Sequence, residues 1–108
     1  KDMLIRGGEN IYCVEVENAL YDHMAVMDAA VVGIPHRTLG EEPGAVVTLK
    51  PGMHATEDEL RAHVAERLAA FKVPVKIKFW HEVLPRNPNG KILKSELKKL
   101  FEDEQAPA

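Results

Sequence analysis

A lysine stands at the end of a run built from prolines, asparagines and a glycine: PRNPNGK, residues 85–91. Pro85 and Pro88 fix φ, Asn87 and Asn89 can bond their own backbone, and Gly90 accepts a conformation that other residues resist. Such a loop can be stiff without a core beneath it, and a stiff loop can aim a side chain. Lys91 is a compact cation on a long stem, suited to reaching a phosphate or a developing oxyanion as a point charge. An ordinary lysine is protonated at neutral pH, so the chemistry on offer is electrostatic stabilisation and not proton abstraction. A second loop, RGGEN at residues 6–10, places Gly7 and Gly8 side by side before Glu9. Paired glycines let the backbone turn sharply and let a ligand pass within contact distance of the main chain, because no Cβ intervenes. The loop has neither the P-loop spacing nor G-x-G-x-x-G, so it is not a phosphate cradle of the usual kind. On local physics alone the simpler readings remain a solubilising surface lysine and a turn without a ligand. No other residue resembles a nucleophile with a base beside it.

Both loops depend on the elements that flank them. DMLIR is apolar enough for a short strand, and GGEN after it calls for a hairpin or a strand-to-helix turn. From Cys13 to His23, Val16, Ala19 and Leu20 recur at helical spacing, with Glu15 and Glu17 near the favourable end of the helix dipole. VMDAAVVGIP (26–35) and GAVVTLK (44–50) read as strands separated by a polar loop. Thr56 and Glu59 form a capping box for a helix whose Leu60, Val64, Leu68 and Phe71 share one face, ended by Pro74. KIKFWHE alternates Lys76, Lys78 and Trp80 against Ile77, Phe79 and His81, a strand with two unlike faces. Ser95 is placed to cap a closing helix with Leu97, Leu100 and Phe101 inward. The expected order is strand, helix, strand, strand, helix, strand, helix: an α+β domain with a small sheet flanked by about three helices.

At 108 residues the chain has room for one ordinary domain. Its 45% apolar and 29% charged residues suit a folded globular protein rather than a disordered segment. The net charge of -3, with both signs mixed along the chain, prepares no face for nucleic acid. A single cysteine, Cys13, excludes an internal disulfide and a cysteine cluster for zinc. The five histidines, His23, His36, His54, His63 and His81, lack paired ligand spacing, so no metal site is expected. No stretch approaches the length needed to span a bilayer. The expected location is cytoplasmic, with a membrane-peripheral one left open. The opening KDMLIRGGEN is strand-like from its second or third residue, as in a piece of something longer.

The two loops, in this order and with these flanks, resemble the C-terminal domain of the AMP-forming acyl-CoA synthetases. That adenylate-forming superfamily also holds luciferases and peptide-synthetase adenylation domains. KDMLIRGGENIY with VEVENAL resembles the motif at the junction of that family's large and small domains, and LPRNPNGKILKSEL resembles the motif near its C-terminus. The likeness runs over nearly the whole chain. It implies a mobile lid domain over residues 1–102, a polar tail over 103–108, and a large N-terminal domain outside this chain as its partner. It also implies a ligase for a fatty-acyl or related carboxylic acid that uses ATP, coenzyme A and Mg2+, held mainly by the N-terminal domain. The lid alone is expected to be inactive. By the same likeness Lys91 is the catalytic lysine of the adenylation step. Gly7, Gly8 and Glu9 correspond to the wall of the tunnel for the pantetheine arm of coenzyme A, and Lys1 corresponds to the hinge. GGENIY leans toward acyl-CoA ligases over peptide-synthetase modules. A carrier-protein acceptor, and a stand-alone binding or regulatory module of the same fold, remain the alternatives. Two positions depart from the common pattern: Cys13, where many relatives have proline, and Asn87, where they often have threonine.

Overall fold

The computed structural model describes residues 2–105, with side chains described through Glu102. Met3–Arg6 (β1) and Glu9–Tyr12 (β2) form an antiparallel hairpin, followed by Cys13–Tyr21 (α1), Val26–His36 (β3), Gly40–Leu49 (β4), Glu57–Ala65 (α2), Lys76–Phe79 (β5) and Lys94–Gln105 (α3). A 3₁₀ turn at Ala70–Lys72 sits between α2 and β5. The sheet has five strands and is mixed. β3 runs antiparallel along the whole of β4; β1 meets β4 antiparallel at Gly40, and β5 lies parallel to it from Gly44 to Val47. The sheet is therefore built around β4, with β1 and β5 in succession along one of its edges.

The uninterrupted apolar runs of β3 and β4 follow from cover on both faces. Ala29, Val31, Ala45 and Val47 face a core made with Val16, Leu20, Leu60 and Val64 of α1 and α2. Ala30, Val32, Ile34 and Val46 face a second core made with Leu84, Leu97 and Phe101, which α3 completes. A strand buried on both sides has no polar face to alternate with.

Two edge strands, β3 and β5, each have one outward amide taken by a helix carboxylate. Glu17 of α1 accepts the amide of Val31 at 2.8 Å, and Glu57 of α2 accepts that of Ile77 at 2.7 Å. Each bond satisfies a strand donor that lacks a neighbouring strand, which also blocks edge-to-edge association.

The structure refines some expectations and corrects others: α2 is shorter than its spacing predicts, and Ser95 does not cap α3. The polar loop between β3 and β4 shrinks to three residues, 37–39, because both strands extend beyond their apolar runs. His36 Nδ1 accepts the amides of Thr38 and Leu39 at 3.2 and 3.0 Å and so folds that connection. The capping box at Thr56 and Glu59 is present, but α2 ends at Ala65 and does not continue to Phe71. Leu68 and Phe71 still pack on the first core, from a backbone that turns back to lay β5 beside β4. Helical spacing alone does not mark where a helix ends when the residues after it fill the same side. On β5 only Ile77 is buried; Phe79, at the end of the paired segment, is 43% exposed. Ser95 lies inside the first turn of α3, where the carbonyl of Leu93 receives the amides of Glu96 and Leu97 at 3.0 and 3.4 Å. The helix runs on to Gln105, so the boundary after 102 is not a change of secondary structure; positions 1 and 106–108 lie outside the described residues.

Candidate functional site

The segment after β5 turns back on itself to present Lys91. An antiparallel bridge pairs Arg86 with Ile92, the Asn87 amide donates to the Lys91 carbonyl at 2.8 Å, and the Gly90 amide donates to Asn87 O at 2.9 Å. Asn87 Oδ1 fills the interior of the turn, accepting the amides of Asn89 and Lys91 at 2.9 and 3.0 Å. The stiffness anticipated from residue types is therefore realised by one asparagine side chain and by Gly90 at φ +84°, a left-handed conformation that glycine adopts without penalty. Asn87 is one of the two departures from the common pattern, and its carboxamide supplies the loop's bonding. The Lys91 side chain is exposed, and its ammonium has no ion-pair partner among the described residues. It lines an open recess of about 510 Å³ together with Asp2, Glu17, Arg86, Ile92 and Lys94.

The base of this loop rests on a buried ion pair that the sequence reading did not single out. Asp28 of β3 is 4% exposed and takes both terminal nitrogens of Arg86, at 2.8 and 2.9 Å. The Tyr21 hydroxyl donates to the same carboxylate at 2.7 Å, and so does the Leu84 amide at 3.0 Å. Burial alone would raise the Asp28 pKa, but the bonds from Arg86, Tyr21 and Leu84 outweigh it and hold the carboxyl below the usual range. Burial, and the bond it gives to the Asp28 carboxylate, raise the Tyr21 phenol. An aspartate inside VMDAAVV, where neighbours on both faces are buried, requires such a partner; that requirement is the one signal in the sequence that pointed here.

Removing Arg86 leaves this carboxylate with three neutral donors, the Tyr21 hydroxyl and the amides of Leu84 and Ala29. Arg86→Ala should therefore lower unfolding stability by about 2–3 kcal/mol, below the cost for a fully buried pair because the guanidinium is partly open to water. The folded-state pKa of Asp28 lies below the unfolded one, so its contribution is complete above about pH 4 and is lost as pH falls through the depressed value. Denaturant titrations from pH 7 downward should show wild type losing its advantage over Arg86→Ala in the acid range. A constant difference down to acid-induced unfolding would reject the pairing as the source.

The glycine pair divides in two. Gly7 and Gly8 form the two-residue turn of the β1–β2 hairpin, with φ of +56° and +86°, the geometry that matches the twist of flanking strands. The Gly7 amide donates to Leu39 O at 2.8 Å, and a Cβ added at Gly7 would meet Leu39 Cδ2 at 3.0 Å. Gly7 thus docks the hairpin tip on the β3–β4 turn. A Cβ at Gly8 would meet nothing within 4 Å, so Gly8 presents bare backbone outward. Glu9, opposite Arg6 in the hairpin register, is exposed at the same tip.

The two loops lie at opposite ends of β1. Asp2 lines the Lys91 recess, whereas Gly7 and Gly8 close the other end, about 17 Å of extended chain away. A single ligand the size of an acyl phosphate cannot touch both. Lys1, the expected hinge position, adjoins Asp2 but lies outside the described residues.

Cys13, the other departure, opens α1 and is buried; its surroundings push the thiol up to about 12, with loss of solvation the main cause. Its amide donates to Asp2 O at 3.1 Å, a bond that proline at this position could not make. Among the described residues no group of three or more His, Cys, Asp or Glu side chains is placed to hold a metal ion. The exposed cation of Lys91 has the chemistry to take a phosphate. No helix of the described residues is long and apolar enough to cross a membrane.

Comparison with known proteins agrees with this fold. The family model described as the AMP-binding enzyme C-terminal domain matches residues 15–91. The chain is 48% identical over 100 residues to the 2-succinylbenzoate–CoA ligase of Geobacillus kaustophilus, covering 93% of this chain and 20% of that enzyme. It superposes on apo MatB from Rhodopseudomonas palustris with a TM-score of 0.90 at 36% identity, over 98% of this chain and 21% of the other. It superposes on the amide bond synthetase McbA from Marinactinospora thermotolerans with a TM-score of 0.88 at 34% identity, over 94% of this chain and 20% of the other. The chain spans about a fifth of the length of the curated relatives it matches, 18–20% in the first three.

Proposed function

We propose a function from one premise: this chain belongs to the family of AMP-binding enzyme C-terminal domains, and its relatives include CoA ligases. On that premise it is the mobile lid of an AMP-forming acid–CoA ligase. The carboxylate of a fatty-acyl or related acid attacks the α-phosphate of ATP, forming the acyl-adenylate and releasing pyrophosphate. The thiol of coenzyme A then attacks the acyl carbon, forming the thioester and releasing AMP and a proton. Lys91 serves the first step: as the acyl oxygen arrives, negative charge grows on the α-phosphate, and a cation already held on a stiff tip favours the transition state over the ground state. Gly7, Gly8 and Glu9 serve the second, with Gly8 as the bare wall past which the pantetheine arm enters. A large N-terminal domain supplies the sites for ATP, Mg2+ and the acid, and the lid alone is inactive. Rotation about Lys1 exchanges the two faces. The location proposed with this function is cytoplasmic, with a membrane-peripheral one as the alternative.

The observation that carries this reading is the placement of Lys91 and Gly8 at opposite ends of β1, too far apart to serve one small ligand together. Two chemical steps that use two ends of one domain require the domain to turn. The test is pyrophosphate exchange by the full-length protein against a panel of aliphatic and aromatic carboxylic acids, followed by thioester formation with coenzyme A. Exchange with at least one acid and thioester formation from it are expected. No exchange with any acid would overturn the reading in favour of a binding or regulatory module.

A second reading keeps the adenylation and changes the acceptor. The similarity to an amide bond synthetase at a TM-score of 0.88 supports a lid of this form working with a nucleophile other than a thiol. Exchange without thioester formation, rescued by an amine or by a carrier-protein phosphopantetheine, would favour it.

A further inference from the structure

The recess beneath Lys91 holds a second lysine with a different situation. Lys94, the first residue of α3, has a side chain only 24% exposed. Its ammonium bonds the carboxylate of Asp2 and reaches Glu17 Oε2 at 2.7 Å. Glu17 is itself fixed, since the same oxygen accepts the Val31 amide at 2.8 Å and its side chain is 15% exposed. Asp2 is held by its backbone as well, through the Cys13 amide at 3.1 Å.

These contacts join three parts of the chain. The lead-in to β1, the middle of α1 and the exit from the Lys91 loop meet at one ammonium. Together with Arg86 on Asp28 before the tip, Lys94 gives the loop an anchor on each side: one five residues upstream of Lys91, the other three residues downstream. Burial works against the charge on Lys94, but the two carboxylates more than offset it and hold its pKa above the ordinary lysine value. The ammonium therefore stays charged and bonded through the whole neutral range.

We propose that Lys94, clamped between Asp2 and Glu17, positions Lys91 for adenylation and locks Asp2 to the body of the domain, which confines any pivot of the lid to the chain before Asp2. Lys94 and Asp2 are then positioning residues of the first step, acting through Lys91 and the hinge and touching no substrate. This inference rests on the adenylation reading above. Its physical basis is that a lever transmits rotation to its tip only if the first residue after the hinge moves with the lever. A lead-in free to flex would let the domain arrive with Lys91 displaced, and displacement of about 1 Å at a reacting centre can cost about a hundredfold in rate.

The test uses the full-length protein with two variants. Lys94→Met keeps the length of the side chain and removes its charge; Asp2→Asn keeps shape and hydrogen bonding and removes only the carboxylate charge. Lys94→Met should lower kcat for adenylate formation by about 10- to 100-fold, with KM for ATP and acid little changed, because binding groups outside the lid are untouched. Thioester formation from supplied adenylate should fall by a smaller factor, because Lys94 and Asp2 border the Lys91 recess and not the Gly7–Gly8 tip. Asp2→Asn should lie between wild type and Lys94→Met, since its carboxylate is about half exposed, and Lys94→Arg should restore most of the adenylation rate. An unchanged kcat in Lys94→Met would overturn the proposal, as would equal losses in both half-reactions, which is the signature of a domain merely less stable. Lys91→Ala serves as the control that separates the two layers. If wild type exchanges pyrophosphate and Lys91→Ala does not, the adenylation reading stands whatever Lys94→Met does; if wild type itself shows no exchange, both fall.

Discussion

Replacing Lys91 by alanine in the full-length protein should lower the rate of acyl-adenylate formation by about 10²–10³-fold, the usual cost of deleting one preorganised charge-stabilising donor. Thioester formation from supplied adenylate should remain near the wild-type rate. The reason for expecting a clean separation lies in the loop's construction. The bonds that shape its tip use the Lys91 backbone and the Asn87 side chain, and none uses the Lys91 ammonium. Alanine at 91 keeps the turn and deletes the cation, so stability should move by less than about 0.5 kcal/mol, as for an ordinary surface change. Lys91→Arg is the informative companion. It retains charge in a broad planar group that cannot substitute for a compact ammonium in a site fitted to one, so partial recovery at most is expected. Rapid-quench measurement of adenylate and of thioester in separate single turnovers distinguishes the steps. Equal loss in both would remove the division of labour between the two ends of the domain.

The parts of this site that were legible in the sequence are those whose chemistry is local. A sharp turn at Gly7–Gly8 and a rigid tip at Asn87–Lys91 follow from residues that dictate backbone shape within four positions of themselves, and both are present; that the turn closes a hairpin with β2, a strand missing from the expected order, and does not lead straight into α1 was left open by those residues. The capping box at Thr56 is legible for the same reason. What could not be read was pairing across the chain. Asp28 and Arg86 stand 58 positions apart, and Asp2 and Lys94 stand 92 apart. A buried aspartate in an apolar strand announces that it needs a cation, but 14 lysines and arginines could answer. Only the register of β3 on β4, which decides the face Asp28 takes, selects Arg86. The end of α2 was hidden for a related reason: Leu68 and Phe71 fill the core side that a longer helix would have filled, so the periodicity survives where the helix does not.

Gly8→Leu should produce the opposite separation to Lys91→Ala: adenylate formation near wild type and thioester formation lowered by about a hundredfold or more, as misplacement at a reacting centre would cost. Two effects of the substitution must be told apart. Gly8 has φ +86°, where a leucine is strained by about 1–3 kcal/mol, so the hairpin tip itself could distort. The space beside Gly8 is empty on this domain's side, so any obstruction by the new side chain must fall on something outside it. Gly8→Asn resolves the ambiguity, because asparagine tolerates the left-handed region and suits this turn while still adding a side chain. If a passage runs past Gly8, thioester formation should fall in the order glycine, asparagine, leucine, following side-chain bulk, with adenylate formation level across the series. If turn strain alone mattered, Gly8→Asn would behave as wild type and the tunnel assignment would be lost. Gly7→Ala supplies the contrast within the same turn. Its Cβ presses on Leu39 of the same domain, so it should loosen the hairpin tip and lower melting temperature without the selective block. A rate profile in which Gly7 and Gly8 variants behave alike would mean that the loop acts as a turn and no more.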